Sequence, residues 1–125
     1  MHIFNALGAA AVKGLIPAAS ITASAYGADL DVTAYDGLGL LVLDVSDPVA
    51  GTNPTIDVTL ASGDAASPTT VAYTFAQVTA DGGVATLPVD FAKLGKYVRG
   101  HAVIGGTSSP QYLVSLTLIA FEKYQ

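Results

Sequence analysis

A chain of 125 residues with net charge −5 and no cysteine has the length of a single domain and excludes disulfides and thiolate metal sites. Only 12% of its residues are charged while 51% are hydrophobic, against about 25% charged in a typical soluble domain. Five basic residues against ten acidic ones exclude the clustered positive charge that nucleic-acid binding needs. No apolar run reaches the ~18 residues of a membrane-spanning helix, so neither nucleic acid nor membrane is an expected partner.

So few charges leave apolar surface to be placed somewhere. Burial against other subunits is the economical reading, because obligate interfaces resemble a domain core cut in half. The alternative is a core rich in Ala and Val under a Thr/Ser surface.

Residues 1–19 (MHIFNALGAAAVKGLIPAA) are rich in Ala and Gly and carry no acid. A secretory signal is disfavoured: the first residues lack Lys and Arg, Lys13 interrupts the apolar stretch and Pro17 follows. A short helix over residues 3–12 is weakened by Gly8. The preferred reading is an arm that precedes the domain and docks on a neighbour through Ile3, Phe4, Leu7, Val12, Leu15 and Ile16; a frayed tail is the alternative. The domain itself is expected over residues 20–125.

Alternation starts at Ser20. Ile21, Ala23 and Ala25 oppose Thr22, Ser24 and Tyr26; Leu30, Val32 and Ala34 oppose Asp31, Thr33 and Tyr35, up to an Asp36-Gly37 turn. Leu38–Val45 is apolar on both faces, which predicts a central strand covered on both sides. After the Asp47-Pro48 and Gly51–Pro54 loop, Ile56, Val58 and Leu60 face inward. Val71, Tyr73 and Phe75 form the next inward set, and Leu87, Val89 and Phe91 the one after. Pro88 predicts an edge position or a bulge, because proline cannot donate to a ladder. Ala92–Leu94 reads as a single helical turn.

Leu94–Phe121 reads as two long alternating strands joined by a Gly105–Pro110 turn. Val98, Gly100, Ala102 and Ile104 share one face of the first strand, and Tyr97, Arg99, His101 and Val103 the other. Val114, Leu116 and Leu118 oppose Ser115 and Thr117 in the second. Seven or eight strands at 8–15-residue spacing predict an all-β fold: an antiparallel β-sandwich, jelly-roll or immunoglobulin-like.

Chemistry is thinly represented. His2 and His101 are the only histidines, too few for a histidine-rich zinc centre. Asp29 with Asp31, and Asp44 with Asp47, are candidate calcium carboxylates, but without the spacing or glycine of an EF-hand they read as turn caps. The nucleophile elbow, the phosphate-binding loop and the dinucleotide fingerprint are absent. No cofactor or metal is called for, and no enzymatic constellation is assembled. Tyr26, Tyr35, Tyr97 and Tyr112 are candidates for a sugar-stacking platform on one face, against the commoner use of Tyr in cores and interfaces. Tyr97, Arg99 and His101 are candidate interface residues. Arg99, the one arginine, is expected to meet a carboxylate across an interface or an internal partner such as Asp90.

Five segments in order carry a resemblance: Tyr35-Asp36-Gly37, Gly51–Asp57 (GTNPTID), Phe75–Gly83 (FAQVTADGG), Lys96–Arg99 (KYVR) and Ile104–Ser108 (IGGTS). Together, across residues 20–123, they resemble a family of small virion structural proteins of tailed bacteriophages. The chain departs at Tyr73, where similar proteins often carry Trp, and at Gly63-Asp64, where they often carry Ser-Asp-Asp. The resemblance implies a capsid-associated structural role. Its preferred form is a decoration or cement protein on the outer capsid surface, made in the host cytoplasm, binding the major capsid protein and itself, with trimers preferred. A tail, neck or vertex component and a carbohydrate-binding β-sandwich are the alternatives.

Overall fold

The computed structural model describes residues 10–121, and nearly all of its regular structure is extended. Eight strands follow in chain order: β1 (Ala10–Ile21), β2 (Ala25–Tyr26), β3 (Leu30–Asp31), β4 (Leu38–Val45), β5 (Ala50–Gly63), β6 (Val71–Thr74), β7 (Gly83–Asp90) and β8 (Tyr97–Phe121). The helical turn expected near Ala92 is present as a 3₁₀ turn over Phe91–Lys93, capped by the Asp90 side chain. All pairings are antiparallel, and the all-β sandwich expected from the alternation is the fold observed.

The expected C-terminal hairpin is instead one strand. β8 runs 25 residues without reversing. Straight, it would be roughly 80 Å long, whereas a domain of this size has a radius of gyration of about 14 Å, so it has to bend. It bends at the segment that reads as a turn. Gly106, Ser108 and Ser109 take positive φ (111°, 60° and 55°), and so do Gly51 and Asn53 (112° and 48°) on the neighbouring strand. The register slips on both strands there, between Ala50↔Gln111, Thr52↔Thr107 and Thr55↔Gly105. The result is a sandwich corner, at which a strand changes sheets through bulges.

β8 is therefore the spine of both sheets. Its C-terminal half lies between β1 and β4, with β7 beyond β4; this is sheet A. Its N-terminal half lies between β5 and the short β2 and β3, with β6 beyond β5; this is sheet B. Pro88 falls on β7, which among the described residues is paired only to β4, as expected of an edge strand.

One core fills the space between the sheets. Leu41, Leu43 and Val45 of β4, Ile56, Val58 and Leu60 of β5, and Val98, Ala102, Tyr112, Val114, Leu116, Leu118 and Ala120 of β8 all point into it. Their two-residue period is the one written in the sequence. Gly100 also faces inward: a Cβ there would lie 2.8 Å from Ile16 Cγ1 and 3.0 Å from Leu116 Cδ2. The absent side chain is what lets Ile16 and Leu116 fill this layer.

The N-terminal boundary differs from the sequence reading. Residues 10–21 are β1, paired with β8 from Ala10↔Phe121 to Ile21↔Tyr112. Leu15, expected to dock on a neighbour, is 1% exposed inside this chain's own core, and Ile16 packs against that core. The division at residue 19 thus falls within a strand. The physical reason is that β8 has two sides to satisfy, and among the described residues only 10–21 pair with its second side in sheet A. β6 is also shorter than expected, and Val71 is exposed rather than inward.

Candidate interaction surfaces

Two outward faces present themselves, one per sheet. On sheet B, the odd-numbered residues of β8 point outward, so Tyr97, Arg99 and His101 line up as the alternation requires. β2 brings Tyr26 into register with His101. The His101 imidazole stacks on the Tyr26 ring at 3.7 Å between centroids and 4° between planes. The Arg99 guanidinium lies 3.6 Å from the centre of the same ring, a cation–π contact. Lys96 Nζ lies 5.3 Å from the Tyr97 ring centre.

Among the described residues, Arg99 meets neither Asp90 nor another carboxylate. Its Nε donates to the Pro68 carbonyl at 2.8 Å and its Nη2 to the Ser67 carbonyl at 3.3 Å. Asp29 accepts from the Ser67 amide at 2.8 Å. The two side chains hold the loop between β5 and β6, where Ser67 takes a positive φ of 57°. Partial burial, then the nearby Arg99 charge, hold His101 below the usual histidine pKa, so its imidazole is neutral at pH 7.

Sheet A presents a different face. The hydrogen-bonded register aligns outward residues of β1, β8, β4 and β7 in rows. One row is Val12–Ile119–Leu40–Pro88. The next is Gly14–Thr117–Val42–Thr86. Neither contains a charge. Leu38 and Phe121 extend the apolar face at one end, and Val84 and Leu113 at the other; Val12 is 68% and Leu38 65% exposed. Asp90 stands on the outer strand β7, and Asp44 on the central strand β4 in the row Ser115–Asp44–Val84, next to the second uncharged row. β4 was expected to be covered on both sides, but its outer residues are exposed at Leu38 and half-buried at Leu40 and Val42. Only its inner face is covered by the described residues.

Of the residues singled out from sequence, Tyr97, Arg99 and His101 share one face, and Val12 lies on the other. Leu15 and Ile16 are internal, and Ile3, Phe4 and Leu7 lie outside the described residues. The four tyrosines do not share a face. Tyr112 is fully buried and donates to the Thr79 carbonyl at 2.8 Å, and Tyr35 is 7% exposed against Phe91. Of the carboxylates considered for calcium, Asp31 accepts from the Thr33 amide and hydroxyl, Asp47 from the Gly82 amide and Asp29 from the Ser67 amide, while Asp44 stands exposed on β4. The Thr33 bonds hold the Asp31 carboxyl below its usual pKa. Sequence reasoning missed the sheet A face, although the even-numbered residues of Leu38–Val45 already spelled it.

No protein-family model matches the chain, and no curated protein matches it in sequence. Solved structures do. The SPBc2 prophage-derived protein YomS superposes with a TM-score of 0.50 at 15% identity, over 89% of this chain and 91% of that one. A chain in the structure of the infectious bursal disease virus Gx strain gives 0.48 at 11% identity, over 93% of this chain and 36% of that one. A chain from the disulfide-linked pili of Bacillus endospore appendages gives 0.41 at 15% identity, over 92% and 89%. At such identities the YomS likeness is one of fold.

Proposed function

We propose that this chain is a non-enzymatic structural protein of a virion, and within that class a decoration protein that binds the outer capsid surface and stabilises the head. The observation that carries the reading is the sheet A face: four strands wide and free of charge in its two central rows, where Val12, Ile119, Leu40, Pro88 and Val42 stand beside two threonines and a glycine, on a chain of 12% charged residues. Contiguous apolar surface of this kind marks a protein–protein contact. The ordered motifs shared with small virion proteins of tailed phages supply the setting, and the prophage origin of YomS, which has the same fold, agrees with it. On a lattice, many weak capsid contacts made by a self-associated assembly sum to firm attachment. The carbohydrate reading loses two of its four tyrosines, because Tyr35 and Tyr112 are core side chains.

The test is quantitative mass spectrometry of purified particles. A copy number of the same order as the major capsid protein is the expected result. A handful of copies per particle would make the chain a tail, neck or vertex component, and absence from particles would end the virion reading.

A further inference from the structure

We infer that the outer face of sheet A is a self-interface, covered by the same face of a second copy of this chain. The inference deepens the structural role proposed above by naming the partner of one surface. Charge favours a second copy as the occupant. The chain carries −5, so two copies repel wherever their acidic surfaces meet. The rows Val12–Ile119–Leu40–Pro88 and Gly14–Thr117–Val42–Thr86 hold no charge, so an identical face laid over them meets no like charge at its centre. Asp90 lies on the outermost strand β7, and Asp44 in the adjoining row Ser115–Asp44–Val84, at the end of the uncharged rows.

Shape and size agree. Two sheets pack face to face about 10 Å apart with interdigitating side chains, and the outward Val12, Leu38, Leu40, Val42, Ile119 and Phe121 supply the apolar layer. A four-stranded face eight residues long, which takes in the flanking rows of Asp44 and Asp90, measures on the order of 500 Å² in plan from strand spacing and rise. Its corrugated accessible area is larger, which brings it towards the ~800 Å² per partner of a standard interface. A face used against itself generates a twofold pair, not the threefold cluster that the family resemblance implies.

Sedimentation velocity of the full chain, from low micromolar to several hundred micromolar, tests this. The wild type is expected to pass from monomer to dimer. Leu40→Lys and, separately, Val12→Lys are expected to weaken that step at least tenfold with an unchanged far-UV spectrum. Val12 is an exposed edge residue, so its variant folds even if Leu40→Lys does not. Val103→Lys, on the exposed side of sheet B, and a chain lacking residues 1–9 should dimerise as the wild type does. A monomer at every concentration, a trimer, unaffected sheet A variants, or loss of association on removing residues 1–9 alone would each overturn the inference. Particle binding separates the two claims: a monomer that still coats particles refutes the self-interface and spares the virion role, and a dimer absent from particles does the reverse.

Discussion

His101 illustrates how much one side chain's neighbours decide. It is stacked on Tyr26 beside the Arg99 cation, which lies on the same ring, and its pKa is lowered by burial and by that charge. Other charged or titratable groups near this outer face are Asp57, which accepts from Gln77, Tyr97, and Lys96 over Tyr97. In the unfolded chain the histidine titrates near 6.5. As pH falls through that value the unfolded state takes up the proton first, so stability drops, and the loss levels off below the folded pKa. Urea midpoints measured between pH 8 and 5 should therefore fall more for the wild type than for His101→Phe. In an NMR titration His101 should titrate below its ordinary value and move back up in Arg99→Gln. A His101 that titrates at or above the ordinary value would refute this account. The residue pattern on β8 was legible because strand alternation is local; the Tyr26 stack was not, because it depends on β2 pairing across some 75 positions of chain.

At the level of elements, β1 and the β8 corner show where local signals mislead. Residues 10–21 look like an arm because Ala, Gly and Pro17 are weak strand formers, yet the second side of β8 holds them in a ladder interrupted by bulges at Gly14/Ile16 and Ile16/Ala19. Leu15→Ala should cost about 2–5 kcal/mol, the usual range for a buried leucine, read from the urea midpoint. Removing residues 1–9 leaves every described strand in place and should change that midpoint little, whereas removal through residue 19 takes most of β1 with Leu15 and should unfold the chain. Equal stability of the two truncations would mean that β1 contributes nothing. At the corner, Gly105–Pro110 contains the residues a reversal needs, but positive φ serves a bulge equally well. β5 follows β8 around the bend with its own left-handed residues, Gly51 and Asn53, and that pairing selects the corner.

For the whole molecule, the shared spine has an energetic consequence. A strand belonging to both sheets, with a single core between them, leaves neither sheet able to open while the other stays packed, so unfolding should be all-or-none. Leu41→Ala in sheet A and Leu60→Ala in sheet B should each lower stability by about 2–5 kcal/mol. Both should shift one common transition, seen alike in far-UV ellipticity and in the near-UV signal of the tyrosines. Two separated midpoints would show that the sheets fold independently.

The sequence by itself determined the fold class, the edge position of Pro88, the inward set of β5 and the two faces of β8, because a period of two along a strand is a local property. It also determined the surplus of apolar surface over charge, which follows from composition. Only the tertiary structure decided that the last two strands are one, that Leu15 belongs to the core and that Arg99 holds an internal loop. It alone decided, too, that the outer residues of β4 line up with those of β1, β7 and β8 in an open face. Each of these depends on which distant segment pairs with β8, and non-local pairing is settled by the competition of whole strands for its two sides.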